Sequence, residues 1–424
     1  MNIKKSELAL TFLIILTSLH GQNNSLDYAI EVSWIIILLC AFKNQKLFYG
    51  IIAGVSLFAS QLFVPVISLL TINVFAVIIS LYFLIRKFND KSVHINARIF
   101  GFYVIVLLYV VLVLGAFIGK TTQIIMVLAI MLLCCELAIK LKDEENLVVF
   151  AKYFVLATIS ASLYGLIGNS SFVDASDRFC GTSTDPNYFG YFLVISFVFL
   201  GIIKKHIPNW VYISGKIALA ILIVFTGSNT ALIALFLMLI VNILMRDISF
   251  ASKGIYVLVL IIVCGVVYFE RANIGKAFLS INSENYFADR YLTTFGNLLI
   301  GESNAATSGR TNIVGSYLRS FSEFSFFEKI FGGHVCGIFG VDANYANDLS
   351  LHLPHNLNID VLFSIGIFGL LYVYSIVFSS FRYWFGKRGS EVGKHMILLK
   401  LIVVLYTFSL SYFLGFPSMI FLFL

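Results

Sequence analysis

Apolar residues run along this chain in continuous blocks of about 17–25, the length that crosses a bilayer as a helix, with little of the strict alternation of half-buried strands. Blocks fall near residues 8–20, 27–42, 47–63, 65–85, 99–119, 122–139, 147–168, 188–204, 210–227, 229–246, 254–270, 355–379 and 396–414. Lipid cannot satisfy free backbone polar groups, so such blocks predict helices. The expected fold is an all-α polytopic membrane protein with about 13 (12–14) transmembrane helices. The start "MNIKKSELALTFLIILTSLH" is basic and then apolar like a secretory signal, but no small-x-small cleavage site follows, so it reads as a retained first span. The final "GFPSMIFLFL" is too short to cross.

Lysine and arginine set the orientation. With the N-terminus inside, the cytoplasmic segments hold Lys4, Lys5, Lys43, Lys46, Arg86, Lys87, Lys91, Arg98, Lys140, Lys142, Lys204, Lys205, Arg246, Lys253, Arg382, Lys387, Arg388 and Lys394. The short outer loops hold only Lys120 and Arg178. One connection, Arg271 to Pro354, is long and lies outside, and loops of that length are usually functional. Within it Phe287, Tyr291, Phe295 and Leu298, and then Ile313, Tyr317, Phe321, Phe324 and Phe327, recur at helical spacing. They predict amphipathic helices that either anchor the loop or line a lipid-substrate groove. Four regions follow: N-terminal helices (1–146), central helices with outer-face motifs (147–270), the large extracytoplasmic loop (271–354) and C-terminal helices (355–424).

Composition agrees with this pattern. The chain of 424 residues is 59% hydrophobic and 12% charged, with a mean hydropathy of +0.94. Soluble domains carry about 25% charged residues. The net charge of +7 is mostly the inside bias just described and calls for no nucleic acid.

Four polar clusters interrupt the apolar pattern, all on the predicted outer face: "DRFCGTSTDPNYFGY" from Asp177, "TGSNTA" from Thr226, "SGRTN" from Ser308 and "HLPHNLNID" from His352. Each has a plain structural role open to it. Asp185 with Pro186 makes a good helix start, and Ser228 can cap the next helix. Arg178 and Arg310 could be exposed loop residues, and His355 a boundary residue. Taken together, outward-facing helix N-termini and two guanidiniums suit a phosphate or pyrophosphate. A histidine beside them can take a proton from a hydroxyl near neutral pH.

In order, "RFCGTSTDPNYFGYF", "TGSNTALIALFL", "SGRTNIVGSYL" and "LPHNLNIDVLFSIGIFGLL" resemble the motifs of the O-antigen polymerase and O-antigen ligase superfamily, over roughly residues 150–380. The resemblance implies a metal-independent glycosyltransferase on the outer face of the bacterial inner membrane, with no cofactor and an undecaprenyl-pyrophosphate-linked oligosaccharide as donor. It places Arg178 and Arg310 on the pyrophosphate and His355 as the base that activates the acceptor hydroxyl. Asp185, Asn187, Ser228, Asn229 and Asn356 are then substrate-binding candidates. Where the family has Ser-Arg-Thr, this chain has Ser228-Asn229-Thr230, so a guanidinium is missing, and Arg290 is the candidate to replace it. The expected activity is polymerisation of lipid-linked repeat units into O-antigen or capsular polysaccharide, with membrane lipid around it and a chain-length co-polymerase as a partner. Transfer to lipid A–core by a ligase stays open, as does a flippase for the lipid-linked unit.

Remaining features separate these alternatives less. Glu31, Glu136, Lys152 and Lys216 are ionisable groups in or near spans. Cys180 and Cys336 both face the oxidising side, where a disulfide is conceivable. There is no zinc spacing, no Asp-x-Asp cluster and no nucleotide-binding motif.

Overall fold

A computed structural model describes residues 3–22, 24–41, 45–58, 63–67, 70–73, 134, 137–167, 178–183, 185–245, 249–281, 286–302, 310–332, 355–410 and 418–424. The chain divides into two compact units. One is formed by Met1–Leu222, Val373–Val403 and Phe413–Leu424, the other by Ile223–Tyr372 and Val404–Tyr412.

The first unit starts with helices α1 (Ile3–Leu16), α2 (Asn24–Ala41) and α3 (Gln45–Ser56). A short antiparallel hairpin follows, β1 (Phe63–Ile67) and β2 (Leu70–Asn73), with Val64 opposite Ile72 and Pro65 opposite Thr71. Apart from this short hairpin the described residues are helical, as the pattern predicts; the hairpin takes up the end of the predicted 47–63 span and the start of 65–85. "FVPVI" and "LTIN" are rich in β-branched residues, which suit an extended backbone. The predicted span 99–119, and most of 65–85 and 122–139, lie outside the described residues.

Helix α4 (Glu144–Ile167) is the central element of the first unit. The Asp143 carboxylate accepts from the Asn146 amide at 3.0 Å, and Glu144 and Glu145 fill the first turn, where the dipole favours anions. Glycines let α3 pack closely. A Cβ at Gly50 would meet the Tyr153 ring at 2.6 Å, and one at Gly54 would meet Ile14 at 2.7 Å. Helix α5 (Pro186–Ile202) packs on α4, and Thr158 Oγ1 lies 2.6 Å from Ser196 Oγ between them. Phe150, Phe154, Phe199 and Phe421 form an aromatic core with ring centroids 5.4–6.4 Å apart, edge-to-face except for the stacked Phe150–Phe154 pair. Phe421 comes from the last helix, α15 (Ser418–Phe423). The fully buried Lys400 donates to the carbonyls of Phe421 and Leu422 at 2.9 and 3.0 Å, which satisfies groups that α15 leaves open.

Between the α5 and α15 segments the chain forms α6 (Asn209–Phe225), α7 (Asn229–Leu244), α8 (Phe250–Phe269), α9 (Arg271–Ser280), α10 (Tyr286–Ile300), α11 (Arg310–Glu323), α12 (Phe326–Phe331), α13 (Leu357–Gly386) and α14 (Glu391–Thr407). In the second unit α8 and α9 meet at a 72° bend. Helices α9 and α10 cross where two glycines face: a Cβ on Gly275 would meet Gly296 O at 2.9 Å, and one on Gly296 would meet Gly275 O at 3.1 Å. Tyr317 of α11 and Phe324 just after it are buried against Ile359 and Phe363 of α13, with Ile313, Val314 and Phe321 around them. That is the stripe the spacing predicts, except that Phe327 is exposed on the separate α12. The predicted span 355–379 is not one continuous helix. It breaks at Gly366 (φ 73°, ψ −170°), where Ile330–Gly332 come against its backbone.

Among the described residues, α4 and Gly366–Gly386 are long and apolar enough to cross a membrane, and the bent pair Gly254–Phe269 with Arg271–Ser280 makes up to three. Four shorter apolar segments lie in α3, α5, α6 and α7. Large apolar side chains, among them Ile255, Leu258, Ile261, Ile262 and Phe269, are exposed along α8. An apolar surface of that extent requires an apolar surrounding, so the chain is a helical, membrane-associated protein.

Candidate functional site

In the first unit the segment from Arg178 into α5 is tightly built. Asp185 is the N-cap of α5, with Pro186 at the first helical position, and its Oδ1 accepts from the Asn187 amide at 2.7 Å. The Asn187 side-chain amide also donates to that Oδ1, at 2.9 Å, which turns its own Oδ1 to accept from Arg178 Nη2 at 3.3 Å. Gly181 has φ 58°, and a Cβ there would run into the Phe189 ring. Gly165 of α4 allows the loop to sit on it, since a Cβ would meet Gly181 Cα at 2.9 Å. Thr182 Oγ1 donates to Leu57 O at 2.5 Å. Arg178 is 7% exposed, so it is no ordinary surface loop residue. Keeping a guanidinium buried is costly, and the Asp185–Asn187 relay holds it in a fixed place.

The other candidates lie in the second unit. Ser228 caps α7, accepting from the Ala231 amide at 3.4 Å, while its own amide donates to Thr226 Oγ1 at 3.2 Å. Gly227, with φ 58°, forms the turn. Arg290 of α10 reaches this turn, and its Nε donates to Gly227 O at 2.9 Å. Tyr291 OH donates to Val224 O at 2.9 Å. Asn229 Nδ2 donates to Thr294 Oγ1 at 3.4 Å, while its buried Oδ1 accepts no hydrogen bond among the described residues. The Arg290 charge therefore stands at the Gly227 turn.

His355 lies just before the Asn356 cap of α13 with φ 46°, a left-handed conformation uncommon outside glycine. Asn356 is the helix cap: its Oδ1 accepts from the amides of Asn358 and Ile359 at 3.0 and 3.4 Å. Arg310 opens α11 and donates from Nη1 to Ser409 O at 3.4 Å. Asn358 Nδ2 donates to Thr407 O at 3.4 Å. The Arg310 end and the His355 end thus tie to carbonyls two residues apart, and the Tyr317–Phe363 ring contact at 5.2 Å fixes their helices together. Asp360, 1% exposed in the first turn of α13, adds a carboxylate near its positive end.

Compared with protein-family models, curated proteins and solved structures, the chain matches none. The site is therefore read from its own chemistry. Sequence reasoning missed Thr294 and Asn358. Asn358 sits inside the "HNLN" motif and was within reach; Thr294 becomes a partner of Asn229 only once α10 folds onto the turn. Ser308, Pro354 and Cys336 lie outside the described residues, and with Cys336 the pairing of Cys180. No group of three or more His, Cys, Asp or Glu among the described residues is placed to hold a metal.

Proposed function

We propose that this chain is an integral-membrane glycosyltransferase of the O-antigen polymerase and ligase type, and specifically a polymerase. It would move a glycan from undecaprenyl pyrophosphate onto a hydroxyl of a second lipid-linked repeat unit. About thirteen spans, multi-pass in the bacterial inner membrane, with the motifs on the extracytoplasmic face, complete the proposal. One observation carries it: Arg290 stands on the Gly227 turn, at the motif where the family resemblance leaves a guanidinium missing. Its Nε is spent on the turn carbonyl, while Nη1 and Nη2 make no hydrogen bond among the described residues and can meet an anion. Beside it, Asn229 Oδ1 is a buried acceptor suited to a sugar hydroxyl.

In this reading the acceptor hydroxyl gives its proton to His355 as its oxygen bonds the anomeric carbon. The bond from that carbon to the pyrophosphate oxygen breaks, and the electron pair leaves with the pyrophosphate. Arg290 and Arg310 of the second unit stabilise the charge that collects on that oxygen, a task the family resemblance also assigns to Arg178, and no metal takes part in the step. Asn187 and Asp185 position Arg178; Asn356 positions His355.

Complementation of a deletion strain tests this. Wild type is expected to restore glycan ladders, while His355→Ala and Arg310→Lys, at normal membrane levels, leave single-repeat glycans. Ladders from both variants would make the motif residues caps and loop charges and favour the flippase reading. Loss of all attached glycan with retained lipid-linked polymer would favour the ligase.

A further inference from the structure

A second polar cluster, in the first unit, takes no part in that chemistry. Lys216 of α6 donates from Nζ to Phe197 O at 2.5 Å and lies 3.5 Å over the Phe197 ring of α5. Tyr212, one turn earlier, has two ammonium groups near its ring centroid, Lys216 at 5.6 Å and Lys204 at 5.2 Å. His395 of α14 packs against Gly201, where a Cβ would collide with its ring, and its charged surroundings are Lys204, Lys216 and Glu391. Glu391 is taken up by Lys394 at 3.0 Å. Lys204, Lys205 and Lys216 make no ion pair among the described residues. Lys204 and Lys205 thus bring positive charge that no carboxylate among the described residues pairs, and Lys216 adds an amino group held by a carbonyl and a ring.

What lies beside it indicates the anion. Trp210, Ile213, Ile217 and Ile221 form an exposed stripe along α6, 50–73% accessible, that flanks Lys216. A free phosphate would gain nothing from that stripe, whereas an acyl chain would bury it. Trp210, at the start of α6, suits a membrane interface. We infer that Lys204 and Lys216 bind the phosphate of an anionic phospholipid whose acyl chain lies along Trp210–Ile221. The site does not depend on the glycosyl-transfer reading.

The protein carries its own reporter. Of its three tryptophans, Trp34 and Trp384 are fully buried and Trp210 is 73% exposed. The full chain is reconstituted in phosphatidylcholine vesicles with a minor fraction of brominated phosphatidylglycerol, or the same fraction of brominated phosphatidylcholine. Expected is stronger quenching of Trp210 by the anionic lipid. The preference falls about fivefold in Lys204→Gln and further in Lys204→Gln/Lys216→Gln. Lys329→Gln, which removes the same charge from the second unit, keeps it. Lys204 is exposed, so its single variant tests the site even where the double variant does not fold. Equal quenching by both lipids, or a preference unchanged in Lys204→Gln, would overturn the inference. Abolition of the preference by excess inorganic phosphate would assign a free-anion site and overturn the lipid.

Discussion

Replacing Gly366 with alanine puts the break in α13 to the test. Gly366 has φ 73° and ψ −170°, a backbone region that is essentially glycine's alone. Holding alanine there costs about 1–3 kcal/mol. The new methyl would also run into Ile330 O and lie 2.6 Å from Gly332 N. These are backbone atoms, which cannot swing aside like the tip of a side chain, so overpacking adds about 1–3 kcal/mol. The total, about 2–6 kcal/mol, is a large share of the 5–15 kcal/mol or so that holds a domain together. Gly315→Ala is the matched control. It lies inside α11 with nothing within 4 Å of a new Cβ, so alanine there should be neutral or gain up to about 1 kcal/mol. Thermal unfolding of the purified proteins in detergent, with the same comparison in chemical denaturant, reads both. A Gly366→Ala protein as stable as wild type would mean that α13 becomes one continuous helix on substitution and that the docking of Ile330–Gly332 holds nothing.

Other substitutions probe the site and its surroundings. Arg290→Ala removes a charged donor from Gly227 O, so unfolding measurements should show a loss of about 1–3 kcal/mol; Arg290→Lys should fold better than Ala yet fail to restore glycan ladders if the planar guanidinium is what matters. Gly181→Ala forces a left-handed alanine into the Phe189 ring, and a loss of about 2–4 kcal/mol in the same assay, with lost activity from a displaced Arg178, is expected. Lys142, outside the predicted spans, has its pKa lowered by burial. The unfolded chain therefore binds the extra proton between the folded pKa and 10.5, so stability should rise with pH across that window, and Lys142→Gln should flatten the rise in melts taken at stepped pH.

The helical, membrane-associated character of the chain was legible in its sequence, because long apolar blocks leave the backbone few ways to satisfy itself in lipid. Local helix starts were legible too. Asp185 before Pro186, and Ser228 before Asn229, reach amides only two or three residues away, so neighbouring sequence suffices to place them. Where the apolar blocks were subdivided the reading was weaker. The Phe63–Ile67 and Leu70–Asn73 strands lie in segments whose hydropathy equally suits a helix, and the glycine break at 366 is fixed by Ile330–Gly332 coming against it.

Partnerships across long stretches of chain were settled only in the tertiary structure. Arg290 lies 63 residues from the carbonyl it holds, and Arg310 lies 99 residues from its own. Nothing in local spacing brings α10 onto the Gly227 turn; the Gly275–Gly296 crossing and the reach of the arginine do. The burial of Arg178 likewise depends on Gly165 and Gly181 giving up their side chains so that loop and helix can touch. The sequence by itself determined which residues could carry charge and which could cap a helix, since those are properties of single side chains and near neighbours. Tertiary packing alone decided which charges face which turns, because that depends on contacts between segments far apart in the chain.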